Sequence, residues 1–204
     1  MKNELLNLIG ENERILYEGK PDLKCYIFET VFNPLLPFAL LWAAIDLGIF
    51  GTVIFDMGGE EKSLLFFLVP FLLLHMMPVW IYISGIAFML LRYRNTNYIV
   101  TDKAIYTSGG IFNKQINNKS FGELSHINVH RGIFDQLFGV GDIIANSSQH
   151  SENGPAAVAI NSISDYDEVY KLIKKVQEDV YTDIMYPNDL RPPENHGYKT
   201  EYKG

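Results

Sequence analysis

Two long apolar runs, about residues 34 to 55 and 64 to 91, constrain this chain more than any other feature. A bilayer core about 30 Å thick needs about 20 apolar residues in a helix. Between Leu35 and Phe55 the one ionisable residue is Asp46; between Leu64 and Leu91 it is His75. Buried helices of soluble proteins are seldom this apolar on every face over such a length. The runs therefore read as a transmembrane hairpin. Its link, residues 56–63, is short and polar (Asp56-Met57-Gly58-Gly59-Glu60-Glu61-Lys62-Ser63), which makes the two helices antiparallel neighbours. The second run is longer than a perpendicular crossing needs, so it tilts, kinks at Pro70 or Pro78, or continues into the headgroups. Mean hydropathy over the whole chain is near zero. That average hides the segregation, because the acids and bases lie mostly outside these runs.

Lysine and arginine set the orientation. The link carries Lys62 alone, whereas Arg14, Lys20 and Lys24 precede the hairpin and Arg92, Arg94 and Lys103 follow it. Both ends are expected in the cytoplasm with the acidic link outside. Trp42 and Trp80 are too deep for a simple aromatic belt; Tyr93 and Tyr98 lie nearer the inner interface. The start of the chain is not a secretory signal, since its first apolar run is short and Glu11, Glu13, Arg14 and Glu18 follow.

Asp46 lies nine residues before Phe55, and His75 eleven after Leu64. At about 1.5 Å per residue both sit at a similar depth below the outer face. A charge there is costly unless it is paired or faces protein. The two residues read either as a proton- or ion-responsive pair or as a hydrogen bond that locks the hairpin. Ala44, Gly48 and Thr52 form a small-residue stripe suited to close helix packing, on roughly the opposite face of the helix from Asp46. Either the stripe or Asp46 faces His75, and the other face is left for a second copy.

Beyond Leu91 the pattern changes to short alternating runs. Asn97 to Thr101 reads as a strand, Asp102-Lys103 as a tight turn, and Ala104 to Thr107 as the partner strand. Ser108-Gly109-Gly110 turns into a strand near Ile111 to Asn117. Leu124 to Val129, Ile143 to Ala145 and Ala157 to Ile160 are further strands, with a polar loop from Ser147 to Pro155. Ser164 is a good N-cap, and Asp165, Asp167 and Glu168 suit the positive end of a helix dipole. Tyr166, Val169, Tyr170, Ile173, Val176 and Val180 then recur at helical spacing. This helix is expected to cover a small antiparallel barrel. From Tyr181 the tail holds prolines and four tyrosines (Tyr181, Tyr186, Tyr198 and Tyr202). An ordered or docked arm and a loose terminus both stay open.

The chain carries Glu18-Gly19-Lys20-Pro21 before the hairpin, then Tyr98 to Asp102 and Ser108-Gly109-Gly110-Ile111-Phe112. The clearest stretch is Leu124-Ser125-His126-Ile127-Asn128-Val129 with Leu137-Phe138-Gly139-Val140-Gly141-Asp142-Ile143. In this order the segments resemble the bacterial pleckstrin-homology-like membrane proteins of the YdbS/YdbT type, over roughly residues 12 to 180. The resemblance implies an α+β membrane protein: a two-helix transmembrane hairpin, then a PH-like antiparallel β-barrel capped by a C-terminal α-helix. It also implies a link to envelope maintenance or stress, and side-by-side assembly of the domains. It does not imply phosphoinositide binding.

Other motifs are ordinary. Gly139-Val140-Gly141 lacks the third glycine of a dinucleotide loop, because Ile144 stands there, so a turn is expected. His126 and His130, with Asp135 and Asp142 downstream, do not make an acid/base site in sequence; alternation turns both histidines away from Ile127 and Val129. Cys25 is the single cysteine, which rules out an intrachain disulfide and, with so few histidines, leaves no zinc motif. A net charge of −7 argues against nucleic acid. Arg92, Arg94, Lys103 and Arg131 are candidates for anionic headgroups or simply set topology; from Arg92 to Val180 nine bases face ten acids, so composition reveals no basic patch.

Four regions follow: an N-terminal segment 1–33, the hairpin 34–91, a PH-like domain 92–180 and the tail 181–204. No nucleophile, metal cluster or carboxylate pair is placed, so neither an enzyme nor a cofactor is expected. The expected role is a membrane-anchored binding or assembly module in the cytoplasmic membrane of a bacterium, with lipid and a second copy or another membrane protein as partners. The alternative is a small ion- or proton-responsive transport component using Asp46 and His75.

Overall fold

The computed structural model describes residues 2–56, 62–147 and 157–185. Most of the link, most of the polar loop before Ala157, and the tail beyond residue 185 lie outside the described residues. The chain divides into two units: residues 1–26 with 91–204, and residues 27–90.

The first unit is mixed α and β. Its strands are β1 (Ile15–Gly19), β2 (Asn97–Thr101), β3 (Ala104–Gly109), β4 (Gln115–Ser120), β5 (Leu124–His130), β6 (Gly141–Ser147) and β7 (Ala157–Ile163). They form two antiparallel sheets, ordered β1-β2-β3-β4 and β5-β6-β7. A closed barrel, which the resemblance implies, is not formed among the described residues. The ladder breaks where Phe121–Glu123 makes a 3-10 turn between β4 and β5, and β7 lies against β3 and β4 without pairing. The expected strand near Ile111 begins at Gln115 instead. Gly110 adopts φ 93, and a Cβ there would collide with the Asn113 carbonyl, so the turn extends past it.

The fold also corrects the N-terminal boundary. Residues 15–19 are a strand of the domain: β1 pairs with β2, Glu18 opposite Ile99 and Gly19 opposite Tyr98. The apolar helices are thus an insertion in the β1–β2 connection. Ahead of β1, the short helix α1 (Lys2–Leu6) brings Leu5 onto Ile99, Ala104 and Tyr106. This covers the second face of the sheet and explains why every residue of β2 is buried. The main core lies on the other face. Tyr98, Val100 and Ile105 meet Phe121, Leu124, Ile143, Val158 and Ile160, and α8 (Tyr166–Met185) closes it with Val169, Ile173 and Val176. These are the helical-period positions read from the sequence. The helix continues through Tyr181 to Met185, so the first residues assigned to the tail belong to it.

The apolar stretch comprises α2 (Leu23–Val31), α3 (Leu35–Asp56), α4 (Lys62–His75), α5 (Met77–Ala87) and α6 (Met89–Asn95). Leu23–Val53 is one 31-residue apolar stretch of sufficient length to cross a membrane. Phe66–His75 and Met77–Ala87 form a second, bent by 57°. The break falls at Met76, beside Pro78, whereas Pro70 sits inside unbroken α4. The remaining short helix, α7 (Ile133–Phe138), lies in the first unit between β5 and β6.

Candidate functional site

The places where the apolar helices meet the domain's own chain are heavily bonded. Pro21-Asp22 ahead of an apolar helix is an N-cap pattern, and Asp22 Oδ1 accepts the Cys25 N–H at 2.9 Å. The Asp22 N–H donates to the Ser162 carbonyl at 2.6 Å. Ser162 holds φ 53, a left-handed conformation that costs a non-glycine residue about 1 kcal/mol or more. It is kept there by that bond and by its own N–H, which donates to Asp142 Oδ1 at 2.7 Å. The Cys25 thiol donates to Asp135 Oδ1 at 3.5 Å. At the end of α6, Asn95 Nδ2 donates to the Gly110 carbonyl at 2.9 Å, and the Asn95 carbonyl accepts from the Ser108 hydroxyl at 2.9 Å. The two helix roots also meet each other: the Tyr26 and Tyr93 rings lie 5.6 Å apart, and Lys20 Nζ donates to the Arg94 carbonyl at 3.3 Å.

Sequence reasoning leaves His130, Asp135 and Asp142 dispersed, yet the fold gathers them. One ligand atom from each lies within 4.8 Å of the others. Asp135, 1% exposed, accepts the Gly132 N–H at 2.8 Å and so caps α7. His130 Nδ1 is 3.8 Å from Asp142 Oδ2. Burial raises the Asp142 pKa; the Ser162 N–H opposes this and the neighbouring Asp135 adds to it. Each carboxylate thus accepts a backbone N–H of its own. Cys25 was not singled out by sequence, because its partner is 110 residues away. Gly139 takes φ 70 as the left-handed cap of α7, and a Cβ at Gly141 would meet the Tyr166 ring at 2.8 Å. Both glycines are therefore structural.

In the apolar unit, Asp46 faces His75 and the stripe does not. His75 Nδ1 is 2.9 Å from Asp46 Oδ1 and 3.1 Å from Oδ2, and Asp46 is 1% exposed. The His75 ring stacks on Trp42 at 5.2 Å and on Phe71 at 5.5 Å. The pair sits at the helix break. Pro78 has no N–H for the ladder, and the Val79 N–H bonds Met76 rather than His75. The His75 carbonyl so released accepts from Trp42 Nε1, and the Leu73 carbonyl two residues earlier accepts from Trp80 Nε1, each at 2.9 Å. These are the chain's two tryptophans, and both bond to carbonyls at the break. Ala44, Gly48 and Thr52 are exposed, and nothing lies within 4 Å of a Cβ built on Gly48.

The basic candidates do not form one cluster. Arg92 and Arg94 are exposed at the base of α6. Lys103 lies past the far end of β2, about 3.3 Å further for each residue of that strand. Arg131 is drawn into the fold instead: Nε donates to the Val140 carbonyl at 2.8 Å and Nη2 to that of Asp135 at 3.4 Å, with the guanidinium 5.0 Å from the Tyr166 ring. These contacts give Arg131 a structural role.

No curated protein and no solved structure matches the chain. A family model described as Bacterial PH domain matches residues 40–177, more than half of the 204 residues. That stretch takes in most of α3, the bent helix pair, both sheets except β1, and α8 down to its third turn. With two antiparallel sheets closed by a C-terminal helix and apolar helices ahead of β2 inside the matched stretch, the chain belongs to the bacterial PH domain family.

Proposed function

We propose that the chain is a membrane-anchored binding and assembly module. The observation that carries this reading is the insertion of the apolar helices into the β1–β2 connection, with both roots bonded to the domain. Only 11% of the most apolar window of Leu23–Val53 is buried, whereas the core helix of a soluble protein is mostly covered. Lipid supplies the cover that protein does not. Both flanks join the same domain, so both leave the membrane on one side, and their lysines and arginines favour the cytoplasm. The exposed Ala44, Gly48 and Thr52 face supports contact with a second copy, and anchoring raises the domain's effective concentration for any partner in that leaflet. No enzymatic step is part of this reading. The test is mass measurement in mild detergent together with protease accessibility of the domain in sealed vesicles. A strict monomer with no copurifying lipid or protein, or a domain protected on the cytoplasmic side, would overturn it.

A second reading is favoured by one observation, the 2.9 Å contact of His75 with Asp46 at a helix break. Here the pair is an ion- or proton-responsive centre. Asp46→Asn or His75→Ala then changes a pH-dependent flux in proteoliposomes while the hairpin stays inserted. No flux from the intact protein removes this reading.

A further inference from the structure

We propose that the domain binds a divalent first-row metal ion of the zinc class, with His130, Asp135 and Asp142 as its ligands. All three belong to the first unit, so the site does not depend on the anchored reading. Its frame is a strand register. His130 ends β5 and stands directly opposite Asp142 of β6, and cross-strand neighbours share one face of a sheet. The connection between the two strands is α7, which returns Asp135 to the same place. The Asp135 carbonyl accepts the Val140 N–H at 2.9 Å, and its carboxylate accepts the Gly132 N–H at 2.8 Å. One ligand atom from each of the three side chains then lies within 4.8 Å of the other two.

The spacing suits an ion better than it suits the residues alone. His130 Nδ1 stands 3.8 Å from Asp142 Oδ2, whereas a hydrogen bond between them would be about 2.7–3.2 Å. Two ligands each about 2.1 Å from a tetrahedral zinc ion are about 3.4 Å apart, so a slight closing of the pair seats the ion. Charge points the same way. Asp135 is 1% exposed and the Asp142 side chain 20%. Among the described residues neither carboxylate has a salt bridge to a lysine or arginine. Arg131, the nearest base in sequence, directs its guanidinium to the carbonyls of Val140 and Asp135 and to the Tyr166 ring. Buried carboxylates are paired or hold metals. Bonds from the Gly132 N–H, the Cys25 thiol and the Ser162 N–H orient them, as partners of metal ligands do, and leave oxygen lone pairs for the ion. The exposed His130 ring is the way in from solvent, and three protein ligands leave a fourth position for water. One imidazole with two carboxylates favours a zinc-class ion over calcium, which takes oxygen ligands.

The test is calorimetric titration of the chelator-treated full chain in mild detergent with zinc chloride. A single zinc ion is expected at this site. His130→Ala, at an exposed position, and Asp142→Asn, which keeps an oxygen for the Ser162 N–H, should each weaken binding by about tenfold or more, since even the partners of metal ligands are worth that much. His126→Ala, on the same strand and also exposed, should leave it unchanged. Far-UV circular dichroism checks that the variants are folded; if Asp142→Asn is not, His130→Ala decides. Binding undiminished in a folded His130→Ala or Asp142→Asn variant, or weakened as much by His126→Ala, assigns the zinc to surface histidines and overturns the site. Absence of zinc binding by the intact chain overturns it as well. So does equal displacement of zinc by calcium, which marks a site of oxygen ligands alone.

Discussion

Replacing Trp42 by phenylalanine separates the indole's hydrogen bond from its ring. The phenyl ring keeps a stacking partner for His75, which lies 5.2 Å from the Trp42 ring. What is lost is the donor to the His75 carbonyl at 2.9 Å. That carbonyl has no helical partner, since the Val79 N–H is used at Met76. With the helices in lipid, as proposed, no water replaces the indole. An unsatisfied buried acceptor costs about 1–3 kcal/mol, while side-chain hydrogen bonds inside membranes average about 0.6 and reach about 1.7 kcal/mol. The two ranges meet at about 1–2 kcal/mol. For a chain of this size that is a fall in Tm of about 3–6 °C. Trp80→Phe is the internal comparison, because Trp80 donates to the Leu73 carbonyl of the same break at 2.9 Å. Thermal unfolding of both variants in mild detergent, followed by far-UV circular dichroism, checks the expectation. If both unfold within about 1 °C of the parent, the indoles do not satisfy the broken helix, and their bonds to its carbonyls carry no stability.

Four further outcomes are expected. Ile173→Ala empties a site that is fully buried between α8 and the sheets and should cost about 2–5 kcal/mol, read by chemical denaturation of the domain signal. Gly141→Ala places a methyl against the Tyr166 ring and should cost about 1–3 kcal/mol, with Tyr166→Ala relieving part of the clash in the double variant. Asp142 has its pKa raised by burial foremost, with Asp135 adding to it, so the folded chain retains a proton that the unfolded chain releases above about pH 4. Stability from this group therefore falls as pH rises from there through the raised pKa; Asp142→Asn should flatten that part of the pH profile of Tm, and an unchanged slope would count against it. Asn95→Ala removes the side-chain bond to Gly110 and should cost about 0.5–1.5 kcal/mol, seen as faster amide exchange in the β3–β4 turn.

Local pattern carried much of the fold. The strands β2, β3 and β5 and the helix α8 were legible because each is marked by its own periodicity and by flanking turn residues. A kink at Pro70 or Pro78 was one of the outcomes open from sequence, because proline removes a specific N–H; the structure bends at Met76, beside Pro78, and leaves Pro70 inside α4. The first strand was not. Ile15–Gly19 is five residues long with an irregular burial pattern, and its partner lies some 80 residues on, across the inserted apolar helices. The same separation hid the meeting of Cys25 with Asp135, 110 residues apart, which come together only when α2 and α7 converge.

What the sequence determined by itself is the pair of long apolar runs, and the similar distance of Asp46 and His75 from the link between them. Which face Asp46 presents was decided by the tertiary structure. Depth follows from counting residues, but rotation about a helix axis depends on what packs beside it. The bend at Met76 and the Trp42 indole turn His75 to Asp46 and leave Ala44, Gly48 and Thr52 exposed. The two sheets likewise needed the tertiary structure, because hydrogen bonding between strands distant in sequence, and its interruption at Phe121–Glu123, leave no local periodic trace.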